Sequence, residues 1–270
     1  MTNKLAGLLE GPTNQRSVSD YESVYDDFVR FAEGSRIDHR FEIPPGTLNA
    51  DYHFDRVNFD VILELKQIYK YGKEDTVDQY FSKRLEEGKL KNFIRLSNNQ
   101  IRIEPKSLSE SDWNHFYKKF RPSVAGQLDK AARQLKQTAN FLPVTDKPQV
   151  CGVVLLNTGD FNMSTDVAFR LVEWHMKREW KRGSYRKIDF VTCVTMDFVQ
   201  EGQTPLYGRH IARRVEDENV VEAIRYLYDR WIYYVAEGYG LTVEFDPNGV
   251  VEDTAPSLSP SMRGKLQKKL

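Results

Sequence analysis

The run "QVCGVVLLN" at 149–157 constrains this chain more than any other stretch. Nearly all of it is apolar, so it reads as a strand covered on both faces, at the centre of a sheet. Such a strand needs a layer of helices on each side, and the flanking sequence supplies candidates. Upstream, Val124, Leu128, Ala131 and Leu135 form the apolar stripe of a helix over roughly 123–141. Downstream, the pattern predicts a helix at 165–181, a strand in "KIDFVTCVTMDF", a strand at 207–215, a helix rich in Tyr and Trp at 218–237, and a short strand "LTVEF".

The first third of the chain reads differently. Tyr21, Val24, Tyr25, Phe28 and Ala32 recur at helical spacing from about Asp20 to Glu33, and Gly34 stops the helix. "RIDHRFEI" reads as a strand that ends at Pro44-Pro45-Gly46. "ADYHFD" and "FDVILELKQI" flank the polar "RVN" as a β-hairpin. Residues 74–120 read as an insertion. It contains a helix near 75–88, a hairpin turning at Asn98-Asn99, and a short helix "SDWNHFYKKF" ending before Pro122. Strands alternating with long helices predict an α/β sandwich with a mixed central sheet. One domain is expected over 1–251, with a basic mobile tail at 252–270.

Composition narrows the function classes. The 39 basic and 39 acidic residues balance, so any polyanion site must come from local clustering. Cys151 and Cys193 both lie in apolar runs and read as buried free thiols, which argues against a disulfide framework or a thiolate metal site. With no apolar signal core and no bilayer-length apolar run, the expectation is a soluble, cytoplasmic protein without membrane contact. The sequence holds no Gly-x-Ser-x-Gly elbow, no phosphate-binding Gly-rich Lys loop and no dinucleotide turn. The five histidines make no zinc-spaced pair with the cysteines.

One polar feature stands out against this background. The chain contains four Glu-x-Lys pairs. Glu87 and Lys89 straddle Gly88 at a helix end. Glu179 and Lys181 lie in a helix, where i and i+2 point apart. Glu104 and Lys106 straddle Pro105, which interrupts a ladder. Only Glu64 and Lys66 sit inside an apolar strand, where i and i+2 share a face. Antiparallel pairing around "RVN" brings residue 51 opposite residues 63–64, so Asp51 lies beside Glu64. Two carboxylates can hold Mg²⁺ while leaving sites for water and a substrate phosphate. A lysine on the same face can orient the water and offset developing negative charge.

Asp51, twelve intervening residues, then Glu64-Leu65-Lys66 on a hairpin resembles the PD-(D/E)XK nuclease superfamily. The element order α-β-β-β-α-β, with "RQLKQTANF" crossing over to "VCGVVLLN", is similar as well, across roughly residues 20–200. Ala50 stands where many of its members carry Pro. The resemblance implies a restriction-endonuclease-like core and a Mg²⁺-dependent nuclease (Mn²⁺ as substitute) that hydrolyses phosphodiesters, with DNA as the expected substrate. Asp51 and Glu64 would hold the metal, and Lys66 would position water. A Gln on the crossover helix would assist, with Gln127, Gln134 or, if the helix at 75–88 takes that place, Gln79 as candidates. Asp55 and Asp60 compete with Asp51 as the second carboxylate. The alternative is an inactive module of the same fold that binds nucleic acid or a protein partner in a larger defence or mobile-element complex.

Other candidates are weaker. His53 shares the Asp51 face, and Asp160 follows a central strand. Glu22 and Glu33 on the first helix could add an outer ligand. "HMKREWKRGSYRK" at 175–187, with its interleaved aromatics, and "RHIARR" at 209–214 are candidate phosphate-backbone contacts. The aromatics of the 218–237 helix point all round it. They read as core, or as an interface with a second copy or another protein, rather than a base-stacking platform.

Overall fold

A computed structural model describes residues 19–68, 79, 82–89, 93–95, 101–103, 109–157, 165–195, 208–213, 216–238, 241–243 and 266–268. Its centre is a six-stranded mixed sheet in the order β1-β2-β3-β6-β7-β8. The strands are β1 (Ser35–Arg36), β2 (Tyr52–Asp55), β3 (Asp60–Ile68), β6 (Gln149–Asn157), β7 (Phe190–Thr195) and β8 (Gly208–Ala212). β1, β2 and β3 pair antiparallel, β3, β6 and β7 run parallel, and β8 closes the far edge antiparallel. Two small antiparallel pairs stand apart, β4 (Phe93–Arg95) with β5 (Ile101–Ile103), and β9 (Leu241–Val243) with β10 (Leu266–Lys268). β10 lies within the stretch expected as a tail, and 252–265 fall outside the described residues.

The parallel steps β3-β6 and β6-β7 require crossovers, and helices supply them. α3 (Glu110–Phe141) precedes β6, and α4 (Thr165–Lys181) links β6 to β7. Both cover one face of the sheet, packing on Ile62, Cys151, Val153, Leu155 and Val191. α1 (Ser19–Phe31) and α5 (Glu218–Gly238) cover the other, packing on Phe54, Val61, Leu63, Val154 and Phe190. Alternate residues of β6 therefore feed two separate cores, which is why its sequence shows no polar face. Each fully buried large side chain contributes about 1.5–3 kcal/mol.

Gly152 has a specific task in that strand. A Cβ there would lie 2.2 Å from the Phe190 ring, its partner across β7. The aromatics of α5 are mostly core: Tyr228 and Trp231 are buried, and Trp231 packs edge-on against Phe28 at 5.1 Å.

Two expectations fail. "RIDHRFEI" is not a strand beyond Arg36. Ile37–Arg40 form a single helical turn, α2, closed by Phe41 N–H donating to Ile37 O at 2.9 Å. Ile37 is buried and Phe41 packs on the same core, an i,i+4 pair that an alternating reading mistakes for a strand. The expected break at Pro122 is also absent, because α3 runs unbroken through it. A capping box at Ser109 and Asp112 starts the helix, and buried Tyr117 and Val124 hold it on either side of the proline. Tertiary packing outweighs the cost of about 3 kcal/mol that an interior proline imposes. Among the described residues no helix is long and apolar enough to cross a membrane.

Candidate active site

β2 and β3 meet in the register Tyr52 to Leu63 through Asp55 to Asp60. The hairpin is therefore the expected one, with Arg56 N–H donating to Phe59 O at its turn. β3 continues past β2 by several residues, from Glu64 to Ile68, where only β6 pairs with it. That overhang leaves ladder positions of β3 open on the β2 side.

Asp51 fills one of them. Its N–H donates to Leu63 O at 3.1 Å, although Leu63 already faces Tyr52. Two residues thus address one, the pattern of a β-bulge, which re-aims a side chain at a strand end. The Asp51 Oδ2 then accepts from Leu65 N–H at 2.8 Å, so a side chain takes the place of the missing strand partner.

Glu64 and Lys66 project from β3 into the core beneath α3, on the face of Ile62 and Ile68. Glu64 is completely buried and Lys66 nearly so, and the Lys66 ammonium pairs with Glu64 Oε1. Glu64 Oε2 has no hydrogen-bond partner. Burial, reinforced by the nearby Asp51 charge, pushes the Glu64 carboxyl up to about 8 despite Lys66. Burial likewise raises Asp51, against the pull of the Leu65 N–H, Lys66 and Arg36. Burial thus disfavours the charged form of both acids, and one Glu64 oxygen is left without a donor.

α3 sets the position of Asp51 from the other side. Gln137 Oε1 accepts from Leu48 N–H at 2.7 Å, Gln134 Nε2 donates to Asn49 O at 2.8 Å, and Thr138 Oγ1 accepts from Ala50 N–H at 2.7 Å. Three side chains on one helical turn clamp the three residues before Asp51. Gln134 is buried, and its own Oε1 has no partner. Gln127 lies half-buried two turns earlier and, among the described residues, makes no hydrogen bond into the site. Gln79 is exposed and has no described contact with Asp51 or Glu64.

The competing carboxylates are engaged at the opposite end of the hairpin. Asp55 binds Arg40 at 3.0 Å and Lys147 at 2.7 Å. Asp60 accepts from Thr145 at 3.1 Å and lies 3.7 Å from His53, which also meets Arg40 at 3.2 Å. His53 is thereby a buried residue engaged in the sheet, its imidazole pulled below the ordinary range chiefly by burial and then by Arg40. Glu22 is exposed, at the margin of the site, 3.8 Å from Arg36, and its charge reaches Asp51. Glu33 pairs with Arg56 at 3.4 Å. In "RHIARR", His210 is buried against Thr192, and Arg213 binds Asp189 and Arg186 O. Asp160 falls outside the described residues.

Thr138, Gln137 and Arg36 escaped the sequence reading. The first two follow Gln134 on the same helix, but nothing in sequence pairs them with residues 48 and 50, nearly ninety positions away. Among the described residues, no group of three or more His, Cys, Asp or Glu side chains is placed to hold a metal. The site offers two carboxylates, a number compatible with Mg²⁺, which keeps several waters and substrate oxygens in its shell. Compared with family models, curated proteins and solved structures, the chain finds no match.

Proposed function

We propose that the chain is a divalent-metal-dependent nuclease with Asp51, Glu64 and Lys66 at its centre and DNA as substrate. The observation that carries this reading is the pair of half-buried Asp51 and buried Glu64, with an orphaned oxygen at Glu64 Oε2, beside a lysine on the same strand. A structural ion pair gains nothing from a second carboxyl next to it, whose charge only raises the cost of ionising Glu64. A hard cation would satisfy the orphaned oxygen and lower both carboxyls at once. The order α1, β1, β2, β3, α3, β6, with α2 inserted after β1 and the β4-β5 pair after β3, supports a restriction-endonuclease-like core.

Asp51 and Glu64 would hold Mg²⁺ or Mn²⁺, and the ion would supply an activated water and charge neutralisation at the phosphate. The other roles belong to the chain. Lys66, released from Glu64 Oε1, offers its ammonium to the attacking water and to the charge that builds on the phosphoryl oxygens. Gln134 and Thr138 fix the approach of Asp51 by gripping Asn49 and Ala50. Half-buried Asp51 is the outward member of the pair and fully buried Glu64 the inward one, so a substrate would arrive from the Asp51 side.

The test is cleavage of plasmid DNA with Mg²⁺ or Mn²⁺, compared with Glu64→Ala and Lys66→Ala. Wild type should exceed both variants at least a hundredfold, and equal background in all three would sink the reading. The complete burial of Glu64 favours one rival, a non-catalytic module of the same architecture in which Glu64 and Lys66 only brace the sheet. That rival predicts that Mg²⁺ leaves the melting temperature unchanged. The nuclease reading predicts a rise, lost in Asp51→Asn.

A further inference from the structure

A furrow of about 860 Å³ runs between the first half of α3 and the second half of α4. It does not contain Asp51, Glu64 or Lys66. Five cations line it: Lys118 and Arg121 from α3, and Lys177, Arg178 and Lys181 from α4. Its one acid, Asp129, already accepts from Tyr185 O–H at 2.6 Å. Lys177 is held by Glu173 at 2.7 Å and Arg178 by Glu179 at 2.8 Å. Lys118, Arg121 and Lys181 are exposed and make no ion pair among the described residues. Three uncompensated cations in one concavity is an arrangement that anions relieve.

The furrow also has an aromatic wall. Trp174 is 40% exposed, unusual for so large an apolar side chain, and it lines the furrow. Behind it lies buried Tyr117, with ring centroids 4.4 Å apart, and the Arg178 guanidinium stands over the Tyr117 ring at 5.4 Å. Tyr117 is itself fixed. His175 touches Tyr117 Oη through Nδ1 and Tyr185 Oη through Nε2, each at 3.2 Å. Tyr185 spends its only proton on Asp129, so His175 must donate from Nε2 and accept the Tyr117 proton at Nδ1. The chain Tyr117-His175-Tyr185-Asp129 thus braces the platform under Trp174 from below.

We propose that this furrow binds a single-stranded polynucleotide, with bases stacking on Trp174 and phosphates on Lys118, Arg121 and Lys181. The exposed Trp174 ring can stack only on a base that is not already paired and stacked in a helix, so the furrow suits one strand and not a duplex. A basic groove with an exposed aromatic is the chemistry that holds unpaired strands without reading their sequence. α3 continues from this furrow to Gln134 and the Asp51 clamp. The binding site stands on its own residues. Only its use, presenting a strand to Asp51 and Glu64, rests on the nuclease reading above.

The test uses the full chain and fluorescein-labelled dT20, rU20 and a 20-base-pair duplex, by anisotropy across 50–300 mM salt without metal. The expected result is that at least one single strand binds tenfold or more tightly than the duplex; dT20 against rU20 identifies which backbone is taken. Trp174→Ala should weaken that binding about tenfold. The triple variant Lys118→Ala, Arg121→Ala, Lys181→Ala should flatten the plot of log K against log salt by about 2. All these side chains are exposed, and unchanged melting curves would confirm folded variants. Glu64→Ala should bind like wild type. Equal or tighter binding of the duplex, binding indifferent to Trp174 and the three cations, or equal competition by polyglutamate would each overturn the proposal. Cleavage that persists alongside such a result would leave the nuclease reading standing. Furrow-dependent binding without any cleavage would do the reverse.

Discussion

Glu64 carries the most information per atom in this chain. Its raised carboxyl has a definite thermodynamic sign. Between the ordinary carboxylate range and about 8 the folded state holds a proton that the unfolded state has released. Stability therefore falls as pH rises through that window and levels off above it. In Glu64→Gln the amide mimics the protonated acid and still accepts from Lys66. The variant should match wild type near pH 5 and exceed it by roughly 1–3 kcal/mol at pH 9 without metal. Urea melts at the two pH values would check this, and a variant less stable at pH 9 would refute the assignment. The strand, its hairpin partner across the polar turn, and the shared face of Glu64 and Lys66 were legible in the sequence. The placement of Asp51 was legible only in part. Period-two logic puts it near residue 63 or 64, but the bulge and the bond to Leu65 N–H depend on β3 outrunning β2, which no local pattern encodes.

At the scale of elements, α3 joins two jobs. Its second half clamps 48–50, and its first half walls the basic furrow. Thr138→Val keeps the shape of the side chain but strips the acceptor from the buried Ala50 N–H. It should cost about 1–3 kcal/mol in chemical melts. A variant with wild-type stability would show that the clamp is dispensable. Pro122 gives the opposite prediction. Pro122→Ala restores a helical N–H and should stabilise by about 1–2 kcal/mol, the loss of proline's rigidity in the unfolded chain offsetting part of the gain. Sequence signals failed at this proline and at "RIDHRFEI" for the same reason: breaker and alternation rules are local, whereas the outcome was decided by packing on Tyr117, Val124, Ile37 and Phe41.

For the whole molecule, the two-faced sheet was readable because "QVCGVVLLN" tolerates no polar side. Which helices cover which face was not, since that depends on crossovers. Gly152 tests the sandwich as a unit. It sits on the central strand between Leu63 and Phe190, so Gly152→Ala must displace a buried ring or spread the sheet. A loss of about 2–4 kcal/mol is expected, visible as a lower denaturant midpoint. The fully buried amides of β6 should be the last to exchange in deuterium, and exchange at β6 as fast as at the edge strands β1 and β8 would contradict its place at the centre of the sandwich.

The hydrogen bond from Leu65 N–H to the Asp51 carboxylate has one more implication. It wires a backbone amide directly to a candidate metal ligand. That amide is a spectroscopic gauge installed by the fold: its nitrogen and proton frequencies should move when Asp51 changes protonation or is drawn toward a cation, while amides at the far end of the same strand stay still. A single resonance would then read the state of the site in the resting protein, with no substrate and no turnover.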